Sequence, residues 1–167
     1  MSFYKRRRPK QEEEKCADPA KARARALDAL ASREMSSAQL YERLCYGFTE
    51  QAAAAAVAEM VELDYVNDDR YAEARAHSLL AARKSRRAAA QNLRQKGLSA
   101  EQIEWAVSLL DADPQEQMLE VLEKKYSAAP EDEAVKRRAY NALLRLGHRP
   151  SDVRRALARF CGATEEF

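Results

Sequence analysis

Glycine and proline are both scarce, four and five in 167 residues. A chain so poor in these residues lacks the turn chemistry that joins the strands of a sheet protein. Its apolar residues, 46% of the total, include no long run: the longest, from Ala52 to Ala58, is rich in alanine and far short of the ~18 needed to cross a bilayer. The three cysteines, Cys16, Cys45 and Cys161, are odd in number, widely spaced and without a Cys-x-x-Cys pair. That pattern argues against a disulfide framework and against a zinc site, and leaves Cys45 as a buried or inert thiol. The two histidines, His77 and His148, lie far apart, and there is no Gly-x-Ser-x-Gly, no glycine-rich phosphate loop and no His-x-x-x-His pair. These absences point away from an enzyme, a metal site and any cofactor. The basic head Lys5-Arg6-Arg7-Arg8 runs into Glu12-Glu13-Glu14 rather than an apolar stretch, so it does not read as a secretory signal. The expected location is the cytoplasm, with no membrane and no small-molecule substrate as partner.

What fills the chain instead is helix-forming. Ala, Leu, Glu, Arg and Gln dominate, residues that lose little conformational freedom in a helix. The formal net charge is only +2, yet between Arg70 and Lys96 the basic residues Arg70, Arg75, Arg83, Lys84, Arg86, Arg87, Arg94 and Lys96 face Glu73 alone. A local field of that sign attracts polyanions or an acidic protein surface.

Gly47, Gly97 and Gly147 fall at one spacing of fifty residues, the mark of an internal repeat. Each closes a helical pattern and suits the left-handed position just past a helix. Beyond each glycine the sixth, tenth and thirteenth residues are Ala53, Val57 and Met60, then Ile103, Val107 and Leu110, then Val153, Leu157 and Phe160. Those offsets put each set on one helical face, a buried stripe. Leu98, Ser99, Gln102 and Ile103 form a capping box and hydrophobic staple, Phe48 and Thr49 hold the matching places in the first copy, and Pro150 starts the third. Before each glycine the patterns predict helices over Ser36 to Tyr46, Ser85 to Lys96 and about Glu131 to Leu146, the first opened by a box of Ser36 and Gln39 and burying Leu40 and Leu44. A further helix in each copy starts at Asp18-Pro19, at Asn67-Asp68-Asp69 and at Asp113-Pro114. The expected fold is all-α: three tandem three-helix repeats of about fifty residues forming an elongated, curved helical array. The boundaries are 18–64, 65–112 and 113–162, flanked by a disordered charged tail at 1–17 and a short tail at 163–167.

With the repeats placed, particular segments resemble the RecX family. The run from Arg33 to Leu44 followed by Gly47-Phe48 is similar to that family's opening repeat. Asn67-Asp68-Asp69-Arg70-Tyr71-Ala72 resembles its Asp-Asp-x-Arg-Phe/Tyr-Ala segment, and Leu93-Arg94-Gln95-Lys96-Gly97-Leu98 its Leu-Arg-x-Lys-Gly-Ile/Leu segment. Where the family commonly carries a Gly-x-Gly turn before the second repeat's middle helix, this chain has Arg83-Lys84-Ser85-Arg86-Arg87. The resemblance implies a regulator that binds the RecA–DNA filament, lies along its groove and restrains its ATP hydrolysis, growth and strand exchange. Weaker, electrostatic association with single- and double-stranded DNA is implied as well.

The candidate binding residues are basic. Arg87, Gln91 and Arg94 share a helical face, joined at the preceding turn by Arg83, Lys84 and Arg86 and flanked by Arg70 and Lys96. Lys136, Arg137, Arg138 and Arg145 form a corresponding set in the third copy that extends the surface. Exposed faces usually mix signs, and the first set has almost no acid. The bland reading is a solvated face. Gly47, Gly97, Gly147, Asp68, Asp69 and Tyr71 read as structural repeat positions, with the two aspartates at the positive end of a helix dipole and Tyr71, Tyr126 and Tyr140 in or near the core. Two other functions compete: a helix-turn-helix DNA binder, and a helical-repeat scaffold that binds peptides. The acidic helix around Glu101 and Glu104 counts against the first.

Overall fold

The computed structural model describes residues 15–110 and 113–162, and among them every named secondary-structure element is an α-helix. The helices are α1 (Pro19–Ser32), α2 (Ser37–Cys45), α3 (Glu50–Glu62), α4 (Asp68–Ala81), α5 (Arg86–Gln95), α6 (Ala100–Ser108), α7 (Pro114–Lys125), α8 (Glu133–Arg145) and α9 (Pro150–Phe160). Contacts divide the described residues into two compact units: 15–71 together with 96–99, and 72–95 together with 100–110 and 113–162.

Local chemistry sets the helix starts. The Asp18 carboxylate accepts from the Ala20 and Lys21 amides with Pro19 in the first turn, and Asp113 accepts from Gln115 ahead of Pro114. Ser36 and Gln39 form the full capping box of α2, Thr49 caps α3 through the Ala52 amide, and Asp132 caps α8 through Ala134 and Val135. Each such cap contributes about 1 kcal/mol. Arg149 makes no side-chain cap, and α9 relies on Pro150.

In the first unit α1 and α3 pack on one another, and α2 packs on both. Their meeting faces are small: Ala22, Ala26 and Ala29 of α1 and Ala52, Ala53 and Ala56 of α3 are all buried. Larger side chains, Met35, Leu40, Leu44, Met60 and Val66, complete this core, with Cys45 half-buried against it. In the second unit α9 packs on α7 and α8 around Met118, Leu122, Leu143 and Val153, and α5 packs on α6. Tyr71 is buried, while Tyr126 and Tyr140 pack half-buried against the α7–α9 core.

Three details differ from expectation. Gly47 is not in the left-handed region, unlike Gly97 (φ +79°) and Gly147 (φ +90°), because α2 ends in a tighter turn in which the Gly47 and Phe48 amides both donate to the Leu44 carbonyl. Leu110 is buried but lies past the end of α6, so it joins the core from the following loop rather than as the last turn of a helical stripe. Lys15–Ala17, assigned by the sequence to a disordered tail, are placed: Cys16 forms an isolated parallel bridge with Phe48, its amide donating to the Gly47 carbonyl and its carbonyl accepting from Thr49. The rest of that tail, 1–14, and the segment 163–167 lie outside the described residues.

Candidate partner and nucleic-acid interface

The basic residues sort by what they touch. Arg70, in the first unit, donates to the Asp64 carboxylate at 3.1 Å and to its carbonyl at 3.3 Å, and lies 3.6 Å from Glu34. It braces the turn after α3. Asp64 holds the left-handed conformation there (φ 55°), and its carboxyl sits below the ordinary carboxylate range because Asn67 and then Arg70 donate to it. Lys96, beside Gly97, gives its carbonyl to the Ser36 hydroxyl.

In the second unit Arg83, Lys84 and Arg86 are committed to the fold. Arg83 stands in the left-handed region (φ 59°) where a glycine would be easiest, its amide donating to Leu80 and the Lys84 amide to Leu79 as α4 closes. A non-glycine residue there costs about 1–2 kcal/mol. Offsetting contacts surround it. The Arg83 guanidinium pairs with Glu120, its carbonyl meets His148 Nε2 at 3.2 Å, and Lys84 Nζ donates to the Arg145 carbonyl at 3.2 Å. Arg86 donates to the Leu110 carbonyl. The chain thus makes this left-handed turn without a glycine.

Ser85, next in line, is buried and makes a clasp. Its hydroxyl accepts from the Ala88 amide as a helix cap and donates to the Gly147 carbonyl at 2.7 Å, while its amide donates to Leu146 at 2.9 Å. Ser36 does the same in the first unit, accepting from Gln39 and donating to Lys96. In both places a glycine turn lies on the cap: a Cβ on Gly97 would run into Ala38, and one on Gly147 would stand 2.5 Å from Ala88 Cβ. Sequence reading found the Ser36 box but not its second bond. It also missed Asp68, which accepts from the Ser37 amide at 2.8 Å and from the Ser37 hydroxyl at 2.5 Å, capping α2 as well as opening its own helix.

Arg87, Gln91 and Arg94 remain. All three are exposed, line one groove of about 580 Å³ with Ala90 and Gln95, and make no hydrogen bond or ion pair with any described residue. On α8 the basic set divides. Arg138 and Arg145 line a groove of about 490 Å³ with Lys125, Tyr126 and Asn141, whereas Lys136 and Arg137 line another of about 720 Å³ against α9. The one-residue step from Arg137 to Arg138 turns about 100° around the helix, which separates the two pairs.

His148 is nearly buried (5% exposed), and burial pushes its pKa below the ordinary histidine value against the opposing pulls of the Arg83 carbonyl and Asp152. It is a structural histidine holding the Arg83 turn. No described helix is long and apolar enough to cross a membrane.

Residues 67–107 match the family model described as RecX, second three-helix domain. The regulatory protein RecX of Chromobacterium violaceum is 34% identical over 148 residues, 87% of this chain and 93% of that one. Its counterpart in Stenotrophomonas maltophilia is 31% identical over 138 residues, 79% and 82% of the two chains. The crystal structure of RecX from Lactobacillus salivarius shares the fold with a TM-score of 0.69 at 20% identity, over 85% of this chain and 96% of that one. Placed beside a relative of this identity and coverage, the chain belongs to the RecX family of regulatory proteins.

Proposed function

We propose that this protein binds the RecA–DNA filament and restrains its ATP hydrolysis, extension and strand exchange, and that it regulates recombination and repair in the bacterial cytoplasm. The reading rests on family membership and on one feature of the second unit, the exposed face of Arg87, Gln91 and Arg94 with no internal partner among the described residues. Long side chains kept unpaired and free of neighbouring acid suit an acidic strip of a protein or a phosphate backbone. Arg138, Arg145 and Lys125 supply a second basic groove for the same kind of contact. Arg83, Lys84 and Arg86 act through the fold, holding the turn ahead of α5, and Arg70 holds the turn after α3 in the first unit. The same reading treats α1–α3, α4–α6 and α7–α9 as three units and DNA as a weaker, salt-sensitive partner. Helix α6 carries exposed Glu101 and Glu104 and is a poor recognition helix.

The test is charge reversal at Arg87 and Arg94 together, read by co-sedimentation with RecA assembled on single-stranded DNA. Binding falls by about tenfold or more while the helical CD signal is unchanged. Unaltered binding removes the α5 face from the interface.

A further inference from the structure

The groove between α8 and α9 is chemically unlike the other two. Its walls include Glu133, Lys136, Arg137 and Tyr140 of α8 and Arg154, Leu157 and Ala158 of α9, with Cys161 just past the end of α9, bounding a space of about 720 Å³. Both series fall at i, i+3, i+4 and i+7, so each wall is a single face about two turns long. The floor is apolar: Tyr140 packs half-buried against the core, Leu157 belongs to it, and Ala158 is too small to fill the space above. The rim is basic, since Arg137 and Arg154 are exposed on opposite walls with no partner among the described residues. The one acid among the described lining residues, Glu133, lies 3.5 Å from Lys136, which offsets it.

From this arrangement we infer that the α8–α9 groove is a docking site for an acidic amphipathic helix supplied by a protein partner. An apolar edge of the incoming helix would lie on Tyr140, Leu157 and Ala158, and carboxylates on either side of that edge would meet Arg137 and Arg154. Helices seat in such grooves through residues at i, i+3, i+4 and i+7, the spacing both walls present. An apolar floor gives affinity to a side chain that a phosphate backbone does not carry, which favours a peptide over a nucleic acid. The site is separate from the α5 face, so it neither requires nor excludes RecA as the partner.

The probe is a labelled helix-forming peptide of about 16 residues with leucine along one edge and glutamate on both flanks, measured by fluorescence anisotropy against the full chain. Its lysine-flanked counterpart and a single-stranded oligonucleotide are the controls. The acidic peptide binds, its lysine counterpart does not, and R137E together with R154E weakens binding by about tenfold or more. Ala158→Glu, which places an acid on the floor, weakens it comparably, and NMR shifts on binding centre on Tyr140 and Leu157. Both variants alter surface or half-exposed positions, and an unchanged thermal midpoint separates lost binding from lost folding. Absent binding, equal binding of the lysine peptide, or binding indifferent to both variants overturns the proposal. So does displacement of the peptide by the oligonucleotide, which would make the groove a phosphate site. Binding that emerges only after deletion of residues 163–167 would also overturn it, giving the groove to the chain's own Glu165, Glu166 and Phe167.

Discussion

Three glycines share one sequence period, but the backbone around them decides what each one does. At Gly97 and Gly147 the left-handed conformation and the neighbouring Ala38 and Ala88 both reject a side chain, whereas at Gly47 nothing lies within 4 Å of where a Cβ would stand. Gly147→Ala therefore costs about 2 kcal/mol or more, a fall of several degrees in thermal midpoint, while Gly47→Ala stays within about 0.5 kcal/mol of wild type. Equal midpoints for the two variants would contradict this difference. His148 gives a pH dependence of known sign. Its folded pKa is below its unfolded value of 6.5, so the neutral ring contributes stability that is complete above the unfolded pKa and is lost as pH falls through the folded one. Urea unfolding of wild type and His148→Gln between about pH 7.5 and 5 should show the wild type losing more stability on acidification. Parallel profiles would show that the ring's charge does not matter there.

Among elements, the α1–α3 pairing depends on small residues, so it tolerates added volume poorly. Ala53→Leu inserts three carbons where the side chain is fully buried and is expected to lower stability by about 1–3 kcal/mol, measured by denaturant unfolding; a neutral result would mean the two helices separate easily. Asp68→Ala removes both bonds to Ser37 and costs about 1–2 kcal/mol, with Asp68→Asn recovering part of it. These two cases also mark what sequence could tell. The starts of α1, α2, α3 and α7 were legible because Asp18-Pro19, the Ser36–Gln39 box, Thr49 and Asp113-Pro114 act on neighbouring residues, and local chemistry leaves a local pattern. Asp68 capping Ser37, 31 residues away, and Ser85 holding Gly147, 62 away, left none, because such bonds are formed by packing between helices rather than by position along one. The candidate surface was legible in part for the same reason. Helical spacing puts Arg87, Gln91 and Arg94 on one face, whereas the bonds of Arg70, Arg83 and Arg86 within the fold and the division of the α8 basics between two grooves arise from packing that spacing does not encode.

For the whole molecule, membership of a regulatory family and an unpaired basic face both support the proposed action on a charged assembly. A regulator that acts on a filament has a stoichiometric signature, because one bound molecule at a growing end or along a groove affects many recombinase subunits. A general polyanion binder acts only when it titrates the DNA. The most direct measurement is ATP hydrolysis by RecA on single-stranded DNA, titrated with this protein well below one copy per recombinase, with DNA binding by the protein alone followed at low and high salt. Strong inhibition is expected at those amounts, under salt where the protein alone barely holds DNA. Absence of inhibition, or inhibition only at amounts that cover the DNA itself, would contradict it.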